Sequence, residues 1–153
     1  ISSDLRERIL NEFYFKHHSM LSRAVKYQLQ TYRKALILDC HSFPNTPLKR
    51  SVHKTIPRPD INIGTDNFHT PQKLIDISVE YFTERNFTIG INYPFNGTIV
   101  PMKYYNKNPK VESIMLEINR KLYLKERSNE KSEQYNITKL AVQEYINLLR
   151  NKL

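Results

Sequence analysis

Apolar residues in this chain recur with two different spacings, and the places where the spacing changes divide it into elements. Leu5, Ile9 and Phe13 return every fourth residue, and Asp4 with Glu7 forms a capping-box pattern, so a helix is predicted over 4–12. A second helix is predicted over 19–33, with Leu21, Ala24, Val25 and Leu29 as its apolar stripe. Residues 35–43 (Ala-Leu-Ile-Leu-Asp-Cys-His-Ser-Phe) form an apolar run that turns polar, the mark of a strand buried on both faces in a parallel sheet. Short strands are predicted at 60–63, 87–91 and 111–118. Thr70 as N-cap and Pro71 as first helical residue open a helix to about Glu84 that would bury Ile75, Val79 and Phe82. Asn86 suits a left-handed stop after it. A closing amphipathic helix over 135–152 runs through Ile137, Ala141, Tyr145, Leu148 and Leu149.

Helix, strand, strand, helix, strand, strand, helix is the alternation of a layered α/β domain with helices covering a sheet. The segment 44–60 breaks it. Pro44, Pro47, Pro57 and Pro59 remove backbone donors and restrict their neighbours, so a long loop is expected directly after the first strand. A loop of this length is functional or disordered, and its place directly after His41 reads as an active-site loop or lid, with Arg50, His53, Lys54 and Arg58 as a cationic cover or as the charges of a solvated loop. Asn96-Gly97 marks a further tight turn within Asn92–Thr98.

Composition narrows the class. At 153 residues one domain with a real core is expected. The formal charge of +9 and the pI near 9.6 raise the question of nucleic acid, but the basic residues are scattered, with no Lys/Arg block. A solvated basic surface accounts for them, and it would also draw small anionic substrates. One cysteine, Cys40, excludes an internal disulfide and fits a reducing compartment. No stretch reaches membrane-spanning length and no signal peptide is visible, so a cytoplasmic location is expected and no membrane partner.

The candidate chemistry lies at strand ends. In open α/β sheets ligands bind beyond the carboxyl ends of the strands, where the first strand presents Asp39, Cys40, His41 and Ser42. An imidazole there is a metal ligand, a general base or a packed bystander. Glu117 shares one face of its strand with Val111, Ser113 and Met115, and a carboxylate closing an apolar face is costly unless it is paired or working. His17 and His18 are adjacent, so they do not share a helix face and are not a chelating pair at helical spacing.

Three signals, Asp39-Cys40-His41-Ser42, Asn92-Tyr93-Pro94-Phe95-Asn96-Gly97 and Glu117-Ile118-Asn119-Arg120-Lys121-Leu122-Tyr123, resemble in order and separation the N-formylglutamate amidohydrolase family. The likeness takes in Tyr14 to Leu21 and Pro59 to Gly64 as well. That family is similar in fold to the zinc carboxypeptidases and the aspartoacylase group. The resemblance implies a three-layer α/β/α domain with a largely parallel or mixed sheet, and a zinc-dependent hydrolase cleaving the amide of a small acidic N-acyl amino acid. It places a metal ligand on His41 and the carboxylate acting on the attacking water on Glu117. Neutral imidazole suits zinc, and a nearby carboxylate can move the water's proton to the leaving nitrogen. Asn92, Arg120 and His18 become candidates for holding substrate. The family also carries, upstream of every segment matched here, a metal-binding Pro-His motif followed by an Asn-Arg motif, and this sequence contains neither at that place. A single domain over 1–153, truncated at its N-terminus, is therefore expected.

Overall fold

The computed structural model describes residues 1–125 and 128–152. Its elements are α1 (Ser3–Ile9), a π-helical turn (Leu10–Tyr14), α2 (Phe15–Tyr32), β1 (Ala35–Phe43), β2 (Ile61–Gly64), α3 (Gln72–Thr83), β3 (Ile89–Ile91), β4 (Val111–Asn119), a 3₁₀ turn (Arg120–Leu122) and α4 (Tyr135–Lys152). The strands form one mixed sheet in the order β1-β4-β2-β3. β1 runs parallel to β4 and β2 parallel to β3, while β2 meets β4 antiparallel.

Strand alternation sorts the side chains into two cores. Ile61 and Ile63 of β2 and Ile114 and Leu116 of β4 face α3 and α4, where they pack with Leu74, Phe82, Tyr145 and Leu149. The opposite face of β1 and β4, through Ala35, Ile37 and Val111, packs under Val25 of α2 and against Val100 and Tyr104. Helices therefore cover both faces, giving the expected three layers. Tyr145 is fully buried, and its hydroxyl shares a 2.7 Å hydrogen bond with Ser78, whose own hydroxyl donates to Leu74 O. Burial pushes the Tyr145 phenol up to about 12. Its ring area stabilises the helix–sheet layer while the polar tip stays satisfied.

Several expectations are corrected. The two N-terminal helices form one helical run through residues 13–18, joined by the π turn, and α1 is capped by Ser2 accepting from Leu5 N rather than by an Asp4–Glu7 box. Arg33, at φ 62°, ends α2 in the left-handed region that Asn86 occupies after α3. Pro71 is the N-cap of α3; the Thr70 hydroxyl instead accepts from Asp66 N and donates to Ser113 O. The buried stripe of α3 is Leu74, Ile77, Ser78, Tyr81 and Phe82, with Ile75 and Val79 half-buried, and Ile137 of α4 faces outward. β1 is not buried throughout as expected: it lies at the edge of the sheet, and its apolar first half packs against the two cores while Cys40 and His41 are exposed, because the apolar run reports only the covered half of the strand.

Candidate active site

The register lines up one row of side chains across the whole sheet. His41 lies beside Glu117, Glu117 beside Asn62, and Asn62 beside Gly90. Because Ile61, Ile63, Leu116 and the half-buried Ile118 face the main core, alternation turns this row to the opposite face. It lies toward the carboxyl ends of β1 and β4, which end together at Phe43 and Asn119.

Asp39 and His41 stand two residues apart on one face of β1, and His41 Nε2 is 2.8 Å from Asp39 Oδ1. In the neutral ring the Nε2 proton then donates to the carboxylate, which leaves the Nδ1 lone pair open. Asp39 Oδ2 accepts from Ile99 N at 3.1 Å, so the carboxylate is held from both sides. Glu117 is only 7 % exposed, and its buried Oε2 has no hydrogen-bond partner among the described residues. Burial pushes the Glu117 carboxyl above its ordinary range and the charge of Asp39 pushes it further, against the opposing pull of His41 and Arg120. A carboxyl held up in this way, beside an imidazole–carboxylate pair, is suited to carrying a proton.

Burial comes from a segment laid flat across the face. The Asn62 amide, itself fully buried, donates to Phe95 O and accepts from Tyr93 N, both at 2.9 Å. Asn92 N donates to Ile63 O, and both ends of its side chain bond Thr65. The Ser113 hydroxyl donates to Ile99 O and meets Thr98 Oγ1 at 2.7 Å. The close approach needs glycine: a Cβ on Gly64 would run into Gly97 O, and one on Gly90 into Tyr93 O. The 44–60 loop leans on the same segment. Arg58 is 4 % exposed, donates to Pro44 O and His53 O, and faces the rings of Phe43 and Phe95. Arg50, His53 and Lys54 are exposed, so of the four basic residues expected to form a cover, Arg58 is the one that is buried as a hub.

The sequence-predicted residues are thus partly gathered. His41 and Glu117 are neighbours. Arg120 follows β4, and its Nε and Nη2 donate to Ser42 Oγ and O, tying the ends of β1 and β4. The Asn92 amide is engaged by Thr65, so its contribution is to the cover. His18 sits half-buried on α2 with its ring 4.2 Å from that of Tyr14, and makes no hydrogen bond to the strand-end residues. Asn62 was missed, although a lone amide between Ile61 and Ile63 in a four-residue strand was its visible signal.

A zinc site takes three protein ligands. Among the described residues no group of three or more His, Cys, Asp or Glu side chains could hold a metal ion, and His41 stands as a single donor. The residues present do not fit a complete zinc centre. No helix is long and apolar enough to cross a membrane among the described residues.

Two solved structures share this fold. An N-formylglutamate amidohydrolase from Ralstonia eutropha JMP134 matches 96% of the chain with a TM-score of 0.77 at 22% identity. The gene product Atu2144 from Agrobacterium tumefaciens matches 100% of it with a TM-score of 0.64 at 17% identity. The chain spans 56% of the length of each. No curated protein matches it. The model of the family described as "FGase: N-formylglutamate amidohydrolase" matches residues 1–124, which include β1, the 92–99 cover and β4 with all their site residues, and the chain belongs to that family.

Proposed function

We propose that the chain serves the hydrolysis of the amide in a small acidic N-acyl amino acid such as N-formylglutamate, with Glu117 as general acid and base. The observation that carries this reading is the buried Glu117 carboxyl, raised by its surroundings and flanked by the His41–Asp39 pair at the ends of two parallel strands. Ionised Glu117 takes a proton from the water that attacks the acyl carbon and returns it to the amide nitrogen as the C–N bond breaks. Formate and glutamate leave. Arg120, whose guanidinium has no carboxylate partner among the described residues, is the proposed anchor for a substrate carboxylate. The cover carrying Asn92 shields the reacting centre, and His18 on α2 is proposed as a further substrate contact. His41 is proposed as one donor to a zinc ion through Nδ1, with Asp39 fixing its tautomer. A cytoplasmic setting belongs to the same reading, since Cys40 is a free, exposed thiol.

The test is release of equimolar formate and glutamate from N-formylglutamate by the purified chain. The incomplete donor set favours a second reading, a catalytically silent homologue that binds without cleaving. Binding without product supports that second reading and contradicts the first.

A further inference from the structure

α1 and the π turn stand outside both cores. Among the described residues nothing buries a side chain of residues 3–14, although the run carries Leu5, Ile9 and Phe13 at intervals of four, 45, 44 and 66 % exposed. Residues four apart are neighbours on a helix surface, so the three form one continuous apolar face. α2, by contrast, is anchored, since Val25 is buried with Ala35, Ile37 and Val111. An apolar stripe on a helix is normally turned toward a core, and propensity alone holds so short a segment helical only marginally in water. The charges beside the stripe say what fits it. Asp4, Glu7 and Glu12 outnumber Arg6 and Arg8, so the run lacks the Lys/Arg-rich polar face of a helix that lies on an anionic lipid surface.

The pattern is instead complementary to itself. Arg8 and Glu12 already form an ion pair along the helix at 3.6 Å. When two copies lie antiparallel about a twofold axis level with Leu10, residues equidistant from Leu10 on either side share a level. Arg8 of one copy is then level with Glu12 of the other, and Asp4 with Lys16, while no like charges of residues 3–16 share a level. The stripes interleave as well. Leu5, Ile9 and Phe13 of one copy alternate with those of the other every second residue, roughly 3 Å at helical rise, so each can seat between two of its neighbours. We propose that α1 and the π turn are a docking face for a second copy of this chain, paired antiparallel through Leu5, Ile9 and Phe13. The inference stands apart from the hydrolase reading, since none of these residues lies in the row across the sheet. Three apolar residues a side fall well short of the roughly 20–30 residues a side of a standard complex, so the dimer is weak and forms with rising concentration.

The experiment is sedimentation velocity at low salt over a micromolar-to-millimolar concentration series, where a reversible monomer–dimer equilibrium is expected. Ile9→Glu abolishes it and leaves the fold intact by circular dichroism, because that side chain is exposed. Arg8→Glu and Glu12→Arg, each alone, set like charges at one level and lose the dimer. Mixed in equal amounts the two variants regain it, since each then meets its opposite, and added salt weakens the mixed dimer. A monomer throughout the series, a dimer indifferent to Ile9→Glu, or a mixture no more associated than its two components overturns the proposal. A monomeric chain that co-sediments with phosphatidylserine vesicles overturns it too and gives the face to lipid.

Discussion

Glu117 lies on a strand whose other positions on that face, Val111, Ser113, Met115 and Asn119, are all buried, and it is buried with them. The folded chain holds its proton more tightly than the unfolded chain does, because burial outweighs the attraction of His41 and Arg120. Ionisation therefore works against folding. The group's stabilising contribution is complete below the unfolded carboxyl range and is lost as pH rises through the raised folded value. Glu117→Gln is accordingly expected to unfold at a higher temperature than the wild type at pH 7 and at nearly the same temperature at pH 4, by thermal melts at both pH values. A lower melting temperature at pH 7 would contradict the assignment of a raised carboxyl. The sequence showed this residue because period-two alternation exposes a charge among apolar partners. It could not show that Asp39 and His41 bond each other, since alternation places two side chains on a face without fixing their rotamers.

At the scale of elements, the cover over 92–99 depends on side chains that bond backbone. Asn62 satisfies Tyr93 N and Phe95 O with one amide. Asn62→Ala leaves both groups unpaired and is expected to cost about 1–3 kcal/mol. In hydrogen exchange the Tyr93 amide should lose protection, while Asn92, bonded to Ile63 O, keeps it. Unchanged protection at Tyr93 would mean that the cover is held by something else. Asp60 ties β2 to β3 in a similar way. Burial alone would raise its carboxyl, but bonds from Lys121 and from Thr88 N and Oγ1 win and hold it below the ordinary range. Its stabilisation is present above the unfolded carboxyl range and lost as pH falls through the lowered value. Asp60→Asn should cost about 1–2 kcal/mol at pH 7 in denaturant titrations, a difference that shrinks in acid; a constant difference would deny the ion pair. The bonds of Asn62 and of Thr88 span residues 28 to 33 apart, and local pattern carries no information about partners at that distance.

For the whole molecule, the three layers and the strand count follow from alternation of two periods, because each face of the sheet must be buried by something. The strand order does not follow. β4, the last strand in sequence, sits between β1 and β2, and only this placement sets His41, Glu117 and Asn62 side by side. The short strands β2 and β3 are too brief for their spacing to specify neighbours. The motif resemblance, by contrast, named His41 and Glu117 together without any reading of topology, and the register makes them neighbours. We propose this row as a hydrolytic site. The most direct measurement is formate release from N-formylglutamate by the wild-type chain and by Glu117→Gln, with circular dichroism verifying that both are folded. Turnover is expected in the first and its loss in the second. Equal turnover in both would contradict it.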